Sequence, residues 1–178
     1  MQRPPIVAVD RMERVWGVDS PRNLYTVLTI PARLAGMPYP GPTTPWLALE
    51  EAGFRHVVCL TSAAPPYDPT PLRLLHAVAL QDLYGGLDPL DPERERHEIG
   101  RAAEIALEAL EHGEGVLVHC VGGTGRTGTV IGVILRRLGY SAREVVDYLD
   151  AVHKARRKSG WPESVWQSNI LASIDESR

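Results

Sequence analysis

The stretch HCVGGTGRTG, residues 119–128, decides the fold, because an apolar run ends in a cysteine and a glycine-rich loop then leads into a second apolar run. The run before it, GVLVH at 115–119, has the β-branched content of a buried strand. The run after it, TGTVIGVILRRLG at 127–139, has the length and apolar content of a buried helix. The segment therefore predicts a strand, a tight loop and a helix start in direct succession. Ligands of α/β sheets bind at such a place, beyond the carboxyl end of a strand.

The remainder of the chain continues this alternation of strands and helices. Further strands are expected at 24–30, 56–60 and 74–80, where short apolar runs are rich in β-branched residues. The Gly- and Pro-rich stretch 36–45 is expected to be a loop. Strands that alternate with helices imply an α/β fold, a three-layer sandwich with a central, mostly parallel sheet flanked by helices.

Capping residues mark the predicted helices. Thr44 before Pro45 predicts a helix start, with Gly53 as its stop. Asp91-Pro92 opens the longest helix, and Ser141 with Glu144 forms a capping box for another. A last short helix is expected over 163–174. The longest helix has apolar residues at helical spacing, which predict one buried face: Ile99, Ala103, Ala106 and Leu110.

Length and composition limit the class of protein. A chain of 178 residues suits one domain, here residues 24–178, preceded by an arm over residues 1–23. The formal net charge of −3 gives no sign of a nucleic-acid binder. No apolar run has the length of a membrane span, and the charged N-terminus does not resemble a signal peptide. With two cysteines, a disulfide framework is excluded, and we expect a monomeric protein of the reducing cytoplasm.

The glycine loop has the composition of an anion site. Glycines at 122, 123 and 125 tolerate positive φ, which would let the backbone curl with its amides inward. Arg126 adds a planar fork that can hold two phosphate oxygens. Cys120 stands at the base of the loop, where the amides, the helix end and Arg126 would stabilise a thiolate. A thiolate behind a bound phosphate can attack phosphorus, so phosphate, sulfate or vanadate are the expected ligands.

The loop resembles the H-C-x5-R-[S/T] signature of the protein-tyrosine-phosphatase superfamily, and within it the small dual-specificity branch. The resemblance spans residues 24–170 and includes LAGMPYPG and GFRHVVCLT. It implies that Cys120 is the nucleophile of a phosphocysteine mechanism and that Thr127 eases breakdown of the intermediate. It further implies that His119 orients the loop and that no metal or other cofactor takes part. The resemblance also implies the phosphate-binding residues: Val121, Gly122, Gly123, Thr124, Gly125 and Arg126.

The family's general acid is an aspartate from a loop upstream of the cysteine, so the resemblance implies one here. Asp82 follows an apolar strand and precedes a glycine pair, as that acid does. Asp88 is the alternative, and Asp91 is explained as a helix cap. The loop is longer than the family pattern. The same resemblance suggests that Gln167 places the hydrolytic water, although a surface glutamine is the plainer interpretation.

Two further features have a structural and a functional interpretation. Cys59 is interpreted as a core residue, and the alternative hypothesis is a protective disulfide with Cys120 under oxidation. The basic cluster of Lys154, Arg156, Arg157 and Lys158 is interpreted as a solvated helix end that favours the dipole, and the alternative hypothesis is that it attracts phosphorylated partners. No histidine spacing suggests a metal site.

The resemblance favours phosphotyrosine and phosphoserine or phosphothreonine in proteins, or simple aryl phosphates, as substrates. The loop interior lacks the lysines of phosphatases that act on inositol lipids, and inositides and sugar phosphates are the alternative. A nucleotide-binding P-loop would need glycine at 120 and lysine at 126. A sulfurtransferase would have a tighter loop without the Thr127 hydroxyl. A catalytically silent phosphate reader would have lost Cys120 or Arg126.

Overall fold

The computed structural model describes residues 3–174 and contains one five-stranded sheet with five α-helices. The strand order is β1-β2-β5-β3-β4, with β1 antiparallel to β2 and the other neighbours parallel. This confirms the predicted α/β class with a mostly parallel sheet. The strands are β1 (Tyr25–Leu28), β2 (Leu34–Met37), β3 (Phe54–Cys59), β4 (Arg73–Ala77) and β5 (Gly115–His119). The helices are α1 (Trp46–Glu51), α2 (Pro92–Glu111), α3 (Gly125–Arg137), α4 (Ala142–Ala155) and α5 (Val165–Ala172).

The two faces of the sheet are covered unequally. Val58, Val116 and Val118 pack with helices α2 to α5 in the larger core cluster. Val57 and Leu117, which alternate with them along the strands, face the smaller cluster against α1. The sandwich thus has four helices on one side and a six-residue helix with loops on the other. The chain between α3 and α5 consequently lies on the same side of the sheet as the glycine loop.

Most helix signals in the sequence are confirmed. The Asp91 side chain accepts from the Arg94 amide at the start of α2, and the Ser141–Glu144 capping box opens α4. The expected Thr44 cap is wrong: Pro45 occupies the N-cap position of α1, and no side chain caps it. Gly53 follows the helix with φ +101°, the left-handed conformation that favours glycine.

Strand β2 corrects the predicted loop over 36–45 at its first two residues, whereas residues 38–45 form a loop as predicted. The strand pairs with β5 on one side. Glycine is needed at position 36, because a Cβ there would lie 2.1 Å from the Tyr25 ring. The glycine that argued for a loop therefore makes room for a buried tyrosine on the neighbouring strand.

The N-terminal segment is hydrogen-bonded to the sheet and to the helical side. The Val7 amide donates to the Val27 carbonyl at 2.8 Å, and the Tyr148 hydroxyl donates to the Val7 carbonyl at 2.8 Å. The Tyr140 hydroxyl donates to the Pro4 carbonyl at 2.6 Å. These bonds fix the segment along β1 and α4. Residues 1, 2 and 175–178 of the predicted arm and domain lie outside the described residues.

No helix within residues 3–174 combines the length and the apolar character that a membrane span requires.

Candidate active site

The glycine loop lies at the end of the central strand β5 and runs directly into α3. None of the backbone amides from Val121 to Arg126 donates to a backbone acceptor within the described residues. The first amide of this region that does so belongs to Gly128, which donates to the Thr124 carbonyl at 2.8 Å. Unpaired amides at a helix N-terminus form a site for an anion. The predicted strand, loop and helix start are confirmed.

The loop glycines serve different purposes. Gly123 has φ +70°, and a Cβ there would lie 2.5 Å from the Met37 carbonyl oxygen, so only glycine fits. The expectation of positive φ at Gly122 and Gly125 is wrong. Gly125 is instead required for space, because a Cβ there would lie 1.9 Å from a carboxylate oxygen of Glu163.

Cys120 and Thr127 lie at the base of the loop. Cys120 is 2% exposed and packs with the core on the α2–α5 side of the sheet. The Thr127 hydroxyl oxygen is fully buried and has no hydrogen-bond partner among the described residues. A buried hydroxyl without a partner is unusual in a folded protein and points to a role outside packing.

Arg126 and Asp82 meet above the loop. The Arg126 Nη2 atom lies 3.5 Å from Asp82 Oδ2, and Nη1 donates to the Leu80 carbonyl at 3.4 Å. The guanidinium is 11% exposed and the carboxylate 57% exposed. Asp82 Oδ1 also accepts from the Tyr84 amide at 3.0 Å, which fixes the carboxylate's orientation. The structure therefore brings Asp82, 44 residues away in sequence, to the predicted phosphate-binding arginine.

The segment that carries Asp82 is hydrogen-bonded to helix α2. Glu95 on α2 is buried, and both its carboxylate oxygens lie 3.1 Å from the Gln81 amide. The Gln81 side chain in turn accepts from the Leu90 amide at 2.8 Å and closes the loop. Asp88 lies on the exposed part of this loop and does not line the cleft described below. Within the loop, the structure brings only Asp82 to Arg126.

A cleft of about 670 Å³ opens over the loop. It is open to solvent and shallow enough for Tyr84 (70% exposed) and Val121 (60% exposed) to stand at its edge. Its charged and reactive lining residues are Asp82, Cys120, Arg126, Asp150, Arg157, Lys158 and Glu163. Asp150 on α4 and Glu163 were not expected at the site, and for Arg157 and Lys158 a solvated helix end was the preferred interpretation. Arg157, Lys158 and Glu163 come from the segment between α4 and α5, which no local pattern connects to the loop.

His119 contacts the first residue of the loop from the opposite face of the sheet. Its Nδ1 lies 3.0 Å from the Cys120 carbonyl oxygen, and its Nε2 lies 2.5 Å from the Tyr67 hydroxyl. A carbonyl can only accept, so Nδ1 carries the proton and Nε2 accepts from Tyr67. The ring also packs edge-on against Tyr39 at 5.3 Å. The imidazole holds the Cys120 backbone and does not face the cleft.

Cys59 is buried and lies on that same opposite face. It pairs with His119 in the β3–β5 register, so its side chain shares the direction of His119, one residue out of phase with Cys120. Its Sγ atom lies 3.4 Å from the Thr61 hydroxyl oxygen. Because a disulfide needs Cβ atoms within about 4.5 Å, the hypothesis of a Cys59–Cys120 bridge is disfavoured by side chains on opposite faces.

Gln167 is neither exposed nor part of the cleft. It is 1% exposed, and its Oε1 atom accepts from the backbone amides of Glu163 at 2.8 Å and Ser164 at 3.3 Å. It thus closes the capping box that opens α5. The interpretation as a surface residue is wrong, and the oxygen that would position a water is already occupied. The S-x-x-Q pattern of residues 164–167 is the sequence signal that could have shown this.

Arg156 contacts the phosphate loop, which its sequence context did not indicate. Its predicted place on a solvated helix end is wrong, because it is 1% exposed. Its guanidinium donates to the carbonyls of Gly122 at 3.0 Å and Gly123 at 3.1 Å. Its Nε donates to the carbonyls of Pro21 at 3.1 Å and Arg22 at 3.0 Å. Holding the loop carbonyls from behind directs the loop amides forward into the cleft.

Tyr25 supports the same arrangement. Its hydroxyl donates to the Gly123 carbonyl at 2.6 Å, and the Arg156 guanidinium lies 4.6 Å from its ring centroid. Burial raises the pKa of the Tyr25 hydroxyl, so the phenol remains a donor. The Arg156 charge also interacts electrostatically with Cys120.

We expect His153 to make the protein less stable in acid. Its Nδ1 faces Arg156 at 3.0 Å, and burial, followed by the charge of Arg156, lowers its pKa to about 3. The unfolded chain binds a proton near pH 6.5 that the folded protein refuses, so stability falls as the pH drops from 6.5 towards 3. The expected loss at pH 5 relative to pH 7 is about 2 kcal/mol, measured by urea unfolding.

The control for this expectation is a second histidine. His153→Gln should flatten the dependence of unfolding free energy on pH between 7 and 5, whereas replacement of the exposed His112 by glutamine should leave it unchanged. An equal slope in wild type and His153→Gln would contradict the assignment.

Comparisons with known proteins agree with this architecture. The sequence model of the family described as "Swiss Army Knife protein, DSP-PTPase phosphatase domain" matches residues 24–173. The crystal structure of Tk-PTP in the active form is 30% identical, with a TM-score of 0.51 and coverage of 79% of this chain and 89% of that chain. TpbA of P. aeruginosa in complex with phosphotyrosine is 18% identical, with a TM-score of 0.59 and coverage of 90% and 89%. The core catalytic domain of the PP-IP phosphatase SIW14 from S. cerevisiae is 20% identical, with a TM-score of 0.57 and coverage of 80% of each chain.

Proposed function

This chain belongs to the small dual-specificity (DSP) branch of the protein-tyrosine-phosphatase superfamily and is a phosphatase of that kind, and we propose that it hydrolyses phosphomonoesters through a phosphocysteine on Cys120. The single observation that carries the proposal is one cleft that unites Cys120, the unpaired loop amides, Arg126 and Asp82. We further propose that residues 24–178 form the catalytic domain and residues 1–23 an arm on it. The family match, which begins at residue 24, supports this division.

The first step transfers the phosphoryl group to sulfur. The amides of residues 121–126 and the Arg126 guanidinium bind the equatorial oxygens and stabilise the charge of the transition state. The Cys120 thiolate forms the S–P bond as the bond from phosphorus to the ester oxygen breaks. Asp82 gives its proton to that leaving oxygen. Thr127, whose buried hydroxyl has no other described partner, would donate to the sulfur as the intermediate breaks down.

The shape of the cleft favours a phosphate on a protein side chain or an aryl group. Its rim carries the exposed Tyr84 ring and the exposed Val121 side chain, which can pack against the ring of a phosphotyrosine. The open rim also admits the shorter phosphoserine and phosphothreonine. These features support phosphotyrosine and phosphoserine or phosphothreonine in proteins as the substrate class.

A specific observation favours a second candidate. Arg157 and Lys158 line the same cleft, although the loop interior has no lysine. Cations beside a phosphate site suit a substrate with several phosphate groups, such as an inositol phosphate. A substrate in the cleft would therefore meet more positive charge than the loop interior alone provides.

A substrate panel separates the two candidates. We would compare phosphotyrosine and phosphothreonine peptides, inositol phosphates, sugar phosphates and p-nitrophenyl phosphate, each with and without a metal chelator. Chelation should leave turnover unchanged, and vanadate should inhibit it. A larger kcat/KM for phosphopeptides supports the first candidate. A preference for inositol phosphates that disappears in an Arg157→Ala, Lys158→Ala double variant supports the second.

We expect Asp82→Asn to slow hydrolysis of alkyl phosphates about 10²–10⁴-fold, the usual contribution of a positioned acid. An alkoxide leaves poorly without a proton, whereas p-nitrophenolate leaves readily, so the effect on p-nitrophenyl phosphate should be much smaller. The measurement is kcat/KM against leaving-group pKa. Asp88→Asn is the matched control from the same loop. A large loss in Asp88→Asn with none in Asp82→Asn would show that the acid is misassigned.

A further inference from the structure

We propose that Glu163 is a second proton-transfer residue of this site and takes the proton from the water that hydrolyses the phosphocysteine. The inference rests on the proposed function, because it requires a phosphocysteine on Cys120. What carries it is the contact between the Glu163 carboxylate and Gly125, where the phosphate loop becomes helix α3.

The backbone of Glu163 is fixed beside the loop. Its amide donates to Gln167 Oε1 at 2.8 Å, and its carbonyl accepts from the Gly86 amide at 3.0 Å. The Trp161 indole, two residues earlier, donates to the Gly125 carbonyl at 3.3 Å. These bonds tie the segment to α5, to the loop that carries Asp82 and to the start of α3. The backbone position from which the Glu163 side chain reaches the cleft is therefore fixed.

The carboxylate lies directly against the phosphate loop. A Cβ on Gly125 would lie 1.9 Å from Glu163 Oε2, closer than any real contact, so any larger residue at 125 would displace the carboxylate. Gly125 does not have positive φ, so its backbone conformation does not demand glycine. The glycine here is explained by the space that Glu163 occupies.

Glu163 is the proton acceptor that its segment places in the cleft. Three residues of the range 161–167 line the cleft, namely Trp161, Pro162 and Glu163. Of these, only Glu163 has a side chain that can accept a proton. Gln167 is occupied as a helix cap. Glu163 therefore lies where a water-directing group is needed.

The surroundings of Glu163 suit a general base. Burial, followed by the negative charge of Asp82, raises the pKa of the Glu163 carboxyl, while Arg126 and Lys158 oppose this. A carboxylate with a raised pKa is a stronger base, and the two cations keep the charged form available. The interactions with Asp82 and Arg126 also place Glu163 within the electrostatic field of the reacting phosphate.

The second step then balances as follows. A water oxygen attacks the phosphorus of the phosphocysteine, and the S–P bond breaks with its electron pair returning to sulfur. The proton that the water loses goes to the Glu163 carboxylate. Inorganic phosphate leaves, the Cys120 thiolate is restored, Glu163 returns its proton to solvent, and Asp82 takes a proton from solvent before the next turnover. Asp82 serves the first step and Glu163 the second.

The test separates the two steps with p-nitrophenyl phosphate under pre-steady-state conditions. In Glu163→Gln we expect a burst of p-nitrophenolate close to one equivalent per enzyme, followed by a steady rate reduced about 10²-fold. Quenched samples should contain a phosphorylated Cys120 peptide in mass spectra. Glu104→Gln, an exposed carboxyl on α2 outside the cleft, should behave as wild type.

A second variant distinguishes loss of the carboxylate from a folding defect. In Glu163→Ala, added formate should restore the steady rate without changing the burst rate, which a merely structural role would not produce. An unchanged steady rate in Glu163→Gln, or an equal slowing of burst and steady rate, would overturn the inference. Wild-type enzyme without any Cys120-dependent release of p-nitrophenolate would instead overturn the proposed function.

Discussion

Replacement of Cys120 by serine is expected to reduce phosphomonoester hydrolysis by at least about 10⁴-fold, the scale of loss on removing a catalytic nucleophile. A serine hydroxyl is not ionised at neutral pH, and the His119 imidazole cannot activate it, because His119 faces the other side of the sheet. The measurement is steady-state hydrolysis of p-nitrophenyl phosphate and of a phosphotyrosine peptide. The loss should be the same for both substrates, because each reaction begins with attack by sulfur.

Phosphate binding should survive the same substitution. The amides and Arg126 remain, so phosphate or a phosphopeptide should still raise the melting temperature of Cys120→Ser. Cys59→Ala is the matched control, since Cys59 is buried behind the sheet and should affect stability more than turnover. Activity that depends on Cys59 and persists in Cys120→Ser would reject the assignment of the nucleophile.

The glycine loop and its neighbouring elements could be predicted because their determinants are local. The strand GVLVH coincides with β5, and the helix predicted from residue 127 begins at Gly125. The spacing of apolar residues and the glycines, all within about 25 residues, are sufficient to predict this strand, loop and helix. The same holds for α2 and α4, whose caps at Asp91 and Ser141 act on amides three residues away.

Features set by distant contacts could not be predicted. Strand β2 has four residues, includes a glycine and precedes a proline, so its own sequence resembles a loop. It is a strand because it pairs with β1 and β5 and because Gly36 accommodates the Tyr25 ring. Arg156 stands in a basic run that is typical of a solvated helix end. Only the folded chain shows that this one side chain turns inward.

In the segment after α4, the position at which helix α5 starts determines which residue reaches the cleft. Gln167 and Glu163 lie four residues apart, and either could have been assigned to water placement. Helix α5 starts at Val165, which places Gln167 at the capping position and leaves Glu163 outside the helix, facing the cleft. The site therefore depends on a helix boundary, the feature that sequence patterns locate least well.

Replacement of Arg156 by methionine should have the largest effect on stability of any change that leaves the cleft lining intact. Four backbone carbonyls, those of Pro21, Arg22, Gly122 and Gly123, would lose the guanidinium as a donor, although the Gly123 carbonyl would keep its bond from the Tyr25 hydroxyl. Leaving a buried carbonyl without a donor costs about 1–3 kcal/mol, so we expect a total loss of about 3–5 kcal/mol for this set. For a chain of this size that corresponds to a fall in melting temperature of about 6–20 °C. The measurement is thermal unfolding followed by circular dichroism.

Activity should fall in the same variant even where it is folded. The carbonyls of Gly122 and Gly123 point back to Arg156, and the amides of the loop point forward because of this. Without the guanidinium, a displacement of the amides by about 1 Å would cost about 10²-fold in kcat. Arg143→Met on α4 is the matched control, since Arg143 is exposed with only a 3.8 Å ion pair to Asp147. If Arg156→Met loses stability but keeps wild-type kcat below its melting temperature, Arg156 supports the fold alone and does not position the phosphate loop.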